Sequence, residues 1–285
     1  MNKLNRNRIV DSAFKWFGIA CTLFGLVMLG IFLFGIIRDG IGRIDWDFLV
    51  NGPSRRAQNA GILPAMVGTL WVLGLTAIIA IPVGVSAGIY LEEYGKKNRL
   101  ASVIEVNITN LAGVPSIIYG LLGLEIFGRV MGMGGSLLAG SCTLALLILP
   151  VIIVATRESV KATPNTIREA SYALGASKWQ TVWRQVLPAA SGGIVTGVIL
   201  ALSRAIGETA PLIVVGALAY VDHVPATPMD DFTVLPIQIF NWVSRPQQAF
   251  LVNAAAGILI LLLITFMMNG IALYLRHRWQ KKVKW

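Results

Sequence analysis

The sequence predicts an all-α integral membrane protein with six transmembrane helices and both termini in the cytoplasm. Three observations carry that expectation. First, 55% of the 285 residues are hydrophobic and only 13% are charged, with a mean hydropathy of +0.70, more apolar than a soluble domain needs. Second, six stretches approach the roughly 20 apolar residues that a spanning helix requires: about 16–37, 62–91, 104–128, 136–156, 192–219 and 250–275. Third, the 24 Lys and Arg fall unevenly around these stretches.

With the amino terminus inside, the cytoplasmic side holds Lys3, Arg6, Arg8, Lys15, Lys96, Lys97, Arg99, Arg157, Lys161, Arg168, Lys178, Arg184, Arg276, Arg278, Lys281, Lys282 and Lys284. Outside lie only Arg38, Arg43, Arg55, Arg56, Arg129 and Arg245, and Arg204 is alone within a span. Basic residues near span ends stay cytoplasmic, so an even number of spans follows. The same placement accounts for the net charge of +10. Its residues sit at span ends and form no continuous nucleic-acid-binding face. Residues 1–61 then form the N-terminus, first span and outer loop, 62–275 the transmembrane domain, and 276–285 a basic tail.

The first apolar stretch is too long for a signal-peptide core and reads as an uncleaved span. The outer loop after it, "RDGIGRIDWDFLVNGPSRRAQNAG", mixes Gly, Pro and charge as surface loops do. Pro64 and Pro82 tilt or kink the long second span, or place an interfacial turn before it. In the third, "NLAGVPSIIYGLLGL", Gly113, Pro115, Gly120 and Gly123 interrupt the helix. Close helix packing and a pathway-lining role both account for them. Glu105 and Glu125, near span ends, are expected to be solvated at the interface. The last outer loop contains four prolines and His223, which lacks a second metal ligand nearby, while its Phe240 and Trp242 suit the headgroup layer. Cys21 and Cys142 fall in different spans near opposite membrane faces, so neither a disulfide nor a metal site is expected.

The third inside loop carries more structure than a connection needs. In "ATRESVKATPNTIREASYALGASKWQTVWRQVLPAASGG", Ile167, Ala170 and Leu174 share one helical face, and Gly175 stands where a left-handed cap ends that helix. Ser177 caps a second helix whose apolar face is Trp179, Val182, Trp183 and Val186, ahead of Pro188, Gly192 and Gly193. Thr166 and Glu169 fit a capping box. A helix, a glycine turn and an amphipathic helix within 157–190 read as a docking element. The sequence lacks a GxxxxGK[ST] loop, so the chain does not bind ATP in the P-loop manner. It also lacks the nucleophile–base pair, carboxylate pair or metal cluster of an enzyme.

The fifth span carries "SRAIGETAPL". Counted from Gly192 at 1.5 Å per residue, Arg204 lies on the order of 18 Å in and Glu208 about 24 Å, around the midplane of a ~30 Å core. Intramembrane charge is costly and marks function by default. The i, i+4 spacing lets the two pair. A static ion pair between helices is one reading. The other is a transient anion contact in the pathway, favoured because an isolated buried pair seldom recovers its desolvation cost and because the planar guanidinium fork suits oxyanions.

"EASYALGASKWQTVWRQVLP" resembles the Glu-Ala-Ala loop of permease subunits of ABC importers, matching it at Glu169, Ala170, Gly175, Leu187 and Pro188. Ser171 replaces the second alanine, and Gln185 replaces an apolar residue. "RAIGETAPL", with "AGVPSIIYGLLGL" and "GVSAGIYLEEYG", is similar to the A-type permeases of phosphate-specific (Pst) ABC importers. The resemblance implies a type I importer fold, substrate translocation at Arg204 and Glu208, and ATPase coupling through the loop. It further implies a homologous C-type permease, ATPase subunits that use ATP and Mg, an extracytoplasmic phosphate-binding protein, and a place in the bacterial inner membrane. A permease for sulfate or molybdate, a secondary transporter and a membrane phosphate-signalling component are the alternatives.

Overall fold

The computed structural model describes residues 3–95, 99–217 and 220–280. Lys96, Lys97, Lys281, Lys282 and Lys284 of the topology count, and 218–219 at the expected end of the fifth span, lie outside them. Among the described residues the elements are helices: α1 (Lys3–Gly40), α2 (Trp46–Val50), α3 (Leu63–Ile89), α4 (Arg99–Leu111), α5 (Ser116–Gly123), α6 (Leu137–Lys161), α7 (Asn165–Ala173), α8 (Lys178–Thr181), α9 (Leu187–Ala205), α10 (Ala210–Val215), α11 (Leu235–Val243) and α12 (Ala249–Gln280). Among the described residues five helical stretches are long and apolar enough to cross a membrane, and the bent pair α4 and α5 makes six if it is counted as one broken span.

Two expected spans are broken. The third bends by 101° between α4 and α5, at Ala112–Pro115, because Pro115 has no N–H to continue the ladder and pushes Val114 out of the α region. Gly113 and Val114 close α4 by donating to the Asn110 and Leu111 carbonyls. Across the bend, the Tyr119 hydroxyl also donates to the Leu111 carbonyl at 2.8 Å. The fifth span continues from α8 through a π turn at Val182–Val186, so Gly192 and Gly193 lie inside α9. It ends at Ala205, well before the expected 219, and resumes as α10.

α6 is the hub, packed on α3 and α9. Two Gly-xxx-Gly pairs explain the close approach: Gly84 and Gly88 of α3 lie on Ile152 and Thr156, and Gly193 and Gly197 of α9 lie on Ser159 and Ala155. Small residues let backbones approach where lipid offers no hydrophobic drive. Gly120 and Gly123 do the same against Pro211 of α10 and Thr143 of α6. Only Gly113 and Pro115 of that quartet break the helix. At the opposite end from α7 and α8, Phe48, Ile62, Leu235, Trp242 and Phe250 form a second core. Trp242 is therefore fully buried, 5.7 Å from the Phe48 ring, whereas Phe240 is exposed as expected. The α11 face that the sequence assigned to headgroups is shared between the core and the surface.

The proline-rich loop before α11 folds over the start of α6. Leu137 and Leu138 N–H donate to the Asp230 and Pro228 carbonyls, and Ala139 N–H to Ser136 Oγ, satisfying donors that a helix start leaves orphaned. The Asp230 carboxylate accepts from Thr227 Oγ1 at 2.5 Å and from the Ala226 and Thr227 N–H groups. The Thr227 hydroxyl, then these backbone donors, hold its pKa at about 2 against an ordinary 3.8. A carboxyl whose folded pKa is depressed stabilises fully above its ordinary value and loses that contribution as pH falls toward the folded one. Pepsin cleavage in this loop, relative to an unstructured control peptide, is expected to be constant from pH 5 to about pH 4 and to rise steeply by pH 2. Asp230→Ala should be cleaved readily throughout.

Candidate functional site

α9 stops at a sequence that cannot extend it. Gly207 N–H and Glu208 N–H fold back as tight i→i−3 bonds to the Arg204 and Ala205 carbonyls, both 3.2 Å. Pro211 then restarts the chain as α10, where its missing N–H costs nothing. Arg204 is thus the next-to-last residue of a helix and Glu208 lies in the break, not in an uninterrupted span. The break meets its counterpart: Tyr119 of α5 shares a buried cluster with Ala205 and Ile206, with Val114 of the α4–α5 bend packed against it. Two discontinuous spans meet here, the setting in which irregular backbone at membrane depth lines a cavity.

The expected pairing forms, but loosely. Arg204 Nε donates to Glu208 Oε1 at 3.3 Å, with the side chains 43% and 19% exposed, longer than the 2.7–2.9 Å typical of a strong charge-assisted bond. Among the described residues, the two Nη groups of Arg204 donate to nothing. One residue earlier, Ser203 Oγ lies 2.6 Å from the Asn269 side-chain amide and 2.7 Å from the Ile199 carbonyl, and fastens α9 to α12. The helix is therefore anchored beside a guanidinium whose fork stays open. Asn269 is absent from the residues the sequence singles out; its polarity within an apolar 32-residue helix is the signal that marks it.

The five residues expected to couple to an ATPase divide into two groups. Glu169 and Ala170 lie exposed on α7, and Gly175 makes the turn at φ +81, a conformation that only glycine adopts freely. Leu187, half-buried, and exposed Pro188 begin α9, Leu187 against Val160, Val186, Ala190 and Ile194. Ser177 caps α8 in a full capping box with Gln180. Ile167, Ala170, Leu174, Gly175, Gln180 and Arg184 line an open groove of about 520 Å³.

Three expectations are corrected at this end. α7 starts at Asn165, with Pro164 before it and no side-chain cap, so Glu169 closes no capping box with Thr166. Val182 and Val186 are buried but Trp179 and Trp183 are exposed, stacked on each other at 5.6 Å, because the π turn takes both rings off the buried face. Glu105 bonds to Arg157 at 2.5 Å and is not simply solvated, whereas Glu125 is exposed with Arg129 one turn away. The Ser171 hydroxyl, where the loop pattern has alanine, lies 2.9 Å from that of Thr181 and ties α7 to α8. The loop and the Arg204 break occupy opposite ends of α9, about 26 Å apart along the helix at ~1.5 Å per residue.

The chain is similar to known proteins over most of its length. Phosphate transport system permease protein PstA 1 of Mycobacterium tuberculosis is 32% identical over 275 residues, covering 95% of this chain and 90% of that protein. PstA of Haemophilus influenzae is 32% identical over 259 residues, 90% of each. The probable ABC transporter permease protein YqgI of Bacillus subtilis is 31% identical, covering 88% of this chain and 83% of that protein. A permease chain in the crystal structure of a bacterial alginate ABC transporter, with its periplasmic protein bound, superposes with a TM-score of 0.71 at 14% identity over 97% of this chain and 98% of its own. The inward-facing MetNI methionine ABC transporter gives 0.61 at 19% identity over 74% and 94%. These last two show a shared fold, that of a type I importer permease. The model of the binding-protein-dependent transport system inner membrane component matches residues 80–281, and with relatives aligned over most of its length the chain belongs to that family of inner-membrane ABC importer permeases.

Proposed function

We infer that the chain is the A-type permease subunit of an ATP-driven importer of inorganic phosphate and forms half of the translocation pathway, a homologous C-type permease supplying the other half. The observation that carries the substrate side is the open guanidinium of Arg204, held by one long bond at the meeting of two helix breaks. A planar fork with unengaged donors is suited to a tetrahedral oxyanion, and the carboxylate of Glu208 beside it keeps the anion from binding too tightly to leave. The PstA relatives support phosphate over sulfate or molybdate.

On the cytoplasmic side, Glu169, Ala170 and Gly175 form the head that enters a cleft of the ATPase, while Leu187 and Pro188 fix the root of the segment in the bundle. ATP and Mg act in that separate subunit, and an extracytoplasmic phosphate-binding protein delivers substrate at the opposite face. The test is uptake of radiolabelled phosphate into proteoliposomes holding both permeases, the ATPase and the binding protein. Uptake that needs ATP is expected; uptake that persists without ATP, driven by an ion gradient, would make the chain a secondary transporter.

A further inference from the structure

Two arginines at the α7 end of the bundle are held very differently from Arg204. Arg168 of α7 donates from Nε and Nη2 to Glu93 Oε1 at 2.9 and 2.7 Å. The same guanidinium reaches the Val160 carbonyl at 2.9 Å and the Thr163 carbonyl at 2.7 Å, at the end of α6. Its side chain is 14% exposed and that of Glu93 only 7%. Arg157 of α6 donates from Nε to Glu92 Oε2 at 3.0 Å and from Nη1 to Glu105 Oε1 of α4 at 2.5 Å.

Glu92 and Glu93 are consecutive in the π turn Tyr90–Tyr94 that extends α3. A continuous path therefore runs from α7 through Arg168, the Glu92–Glu93 turn and Arg157 to Glu105. Its far end is the helix that leads into the bend at Ala112–Pro115. Packing does little to hold that helix: α4 lies chiefly against α6, and Val103, Ile104 and Val106 are exposed. Separating the nearly buried Arg168–Glu93 pair strands an uncompensated charge, and Arg157, 20% exposed, holds both Glu92 and the 48% exposed Glu105 with one guanidinium, so elements joined this way move together.

We propose that this chain of ion pairs carries the displacement of α7 to α4 and so to the broken span, with Arg168, Arg157, Glu92, Glu93 and Glu105 acting as positioning residues for coupling. The proposal rests on the reading of 157–190 as the segment that docks on the ATPase. Coupling that passes through defined side chains predicts a defect in the ratio of transport to hydrolysis, shared non-additively by the partners of one pair.

The test uses the complete reconstituted complex and radiolabelled phosphate, with cross-linking of Leu174→Cys to the ATPase as a separate monitor of docking. Glu105→Gln and Arg157→Gln are each expected to lower phosphate carried per ATP hydrolysed at least fivefold with cross-linking retained. The double variant should be no worse than either, and Arg157→Lys should recover most of the loss. An unchanged ratio in both single variants, with docking intact, would overturn the proposal. So would uptake and hydrolysis falling in equal proportion. Absence of the cross-link in a complex whose only substitution is Leu174→Cys would instead overturn the docking reading and this proposal with it.

Discussion

Arg204→Gln is expected to reduce ATP-driven phosphate uptake by about 10- to 100-fold with the complex still assembled. A hydrogen bond to a charged group contributes about 1.5–3 kcal/mol, and every 1.4 kcal/mol is about tenfold. Folding should be spared, because the variant gives up one long 3.3 Å contact made by a guanidinium that is 43% exposed. Arg204→Lys keeps the charge but loses the fork, so its uptake should fall between the two. Glu208→Gln acts oppositely: with the guanidinium unopposed, phosphate binds more tightly and leaves more slowly, lowering both KM and turnover. Initial rates against phosphate concentration, at matched amounts of complex, separate these outcomes. Wild-type rates for Arg204→Gln would make the pair a packing element and remove the pathway role.

Gly197→Leu is expected to destabilise the fold strongly. A Cβ built at Gly197 already collides with the Ala155 Cβ on α6, and one at Gly193 with the Ser159 side chain. A leucine there forces the α6–α9 seam apart along its length. Overpacking of a tight core costs about 1–3 kcal/mol or more, and this seam positions both the α7–α8 segment and the Arg204 break. Thermal unfolding of the detergent-solubilised chain, followed by size-exclusion chromatography, should show a large fall in Tm for Gly197→Leu. Gly74→Leu should behave like wild type, since nothing lies within 4 Å of a Cβ at Gly74. A normal Tm for Gly197→Leu would mean that the seam tolerates separation.

Hydropathy made the spans legible because lipid exposure is a property of whole helices, and the turn at Gly175 and the cap at Ser177 because each is decided within a few residues. The pairing of Arg204 with Glu208 was equally local, needing only the i, i+4 rule. What escaped were events settled by two segments at once. "GETAPL" reads as apolar chain with one acid, and only the packing of α5 on α10 through Gly120 and Pro211 shows that it is a break facing another break. Trp242 looks interfacial until Phe48, far away in sequence, covers it. The Gly-xxx-Gly spacings at 84–88 and 193–197 were readable in the chain, but their partners on α6 were not. Glu92, Glu93 and Glu105 gave no hint of their arginines, which arrive from α6 and α7. π turns at Tyr90–Tyr94 and Val182–Val186 shift the register that a 3.6-residue pattern assumes, which is why Trp179 and Trp183 were placed on the wrong face.

The most direct measurement is ATP-driven uptake by the wild-type complex of radiolabelled phosphate, alone and in competition with sulfate and molybdate, in proteoliposomes carrying both permeases, the ATPase and the binding protein. A pathway through the open guanidinium of Arg204 in a phosphate importer predicts accumulation of phosphate that requires ATP and is unaffected by an excess of either competitor. Accumulation of labelled sulfate or molybdate in preference to phosphate would contradict it.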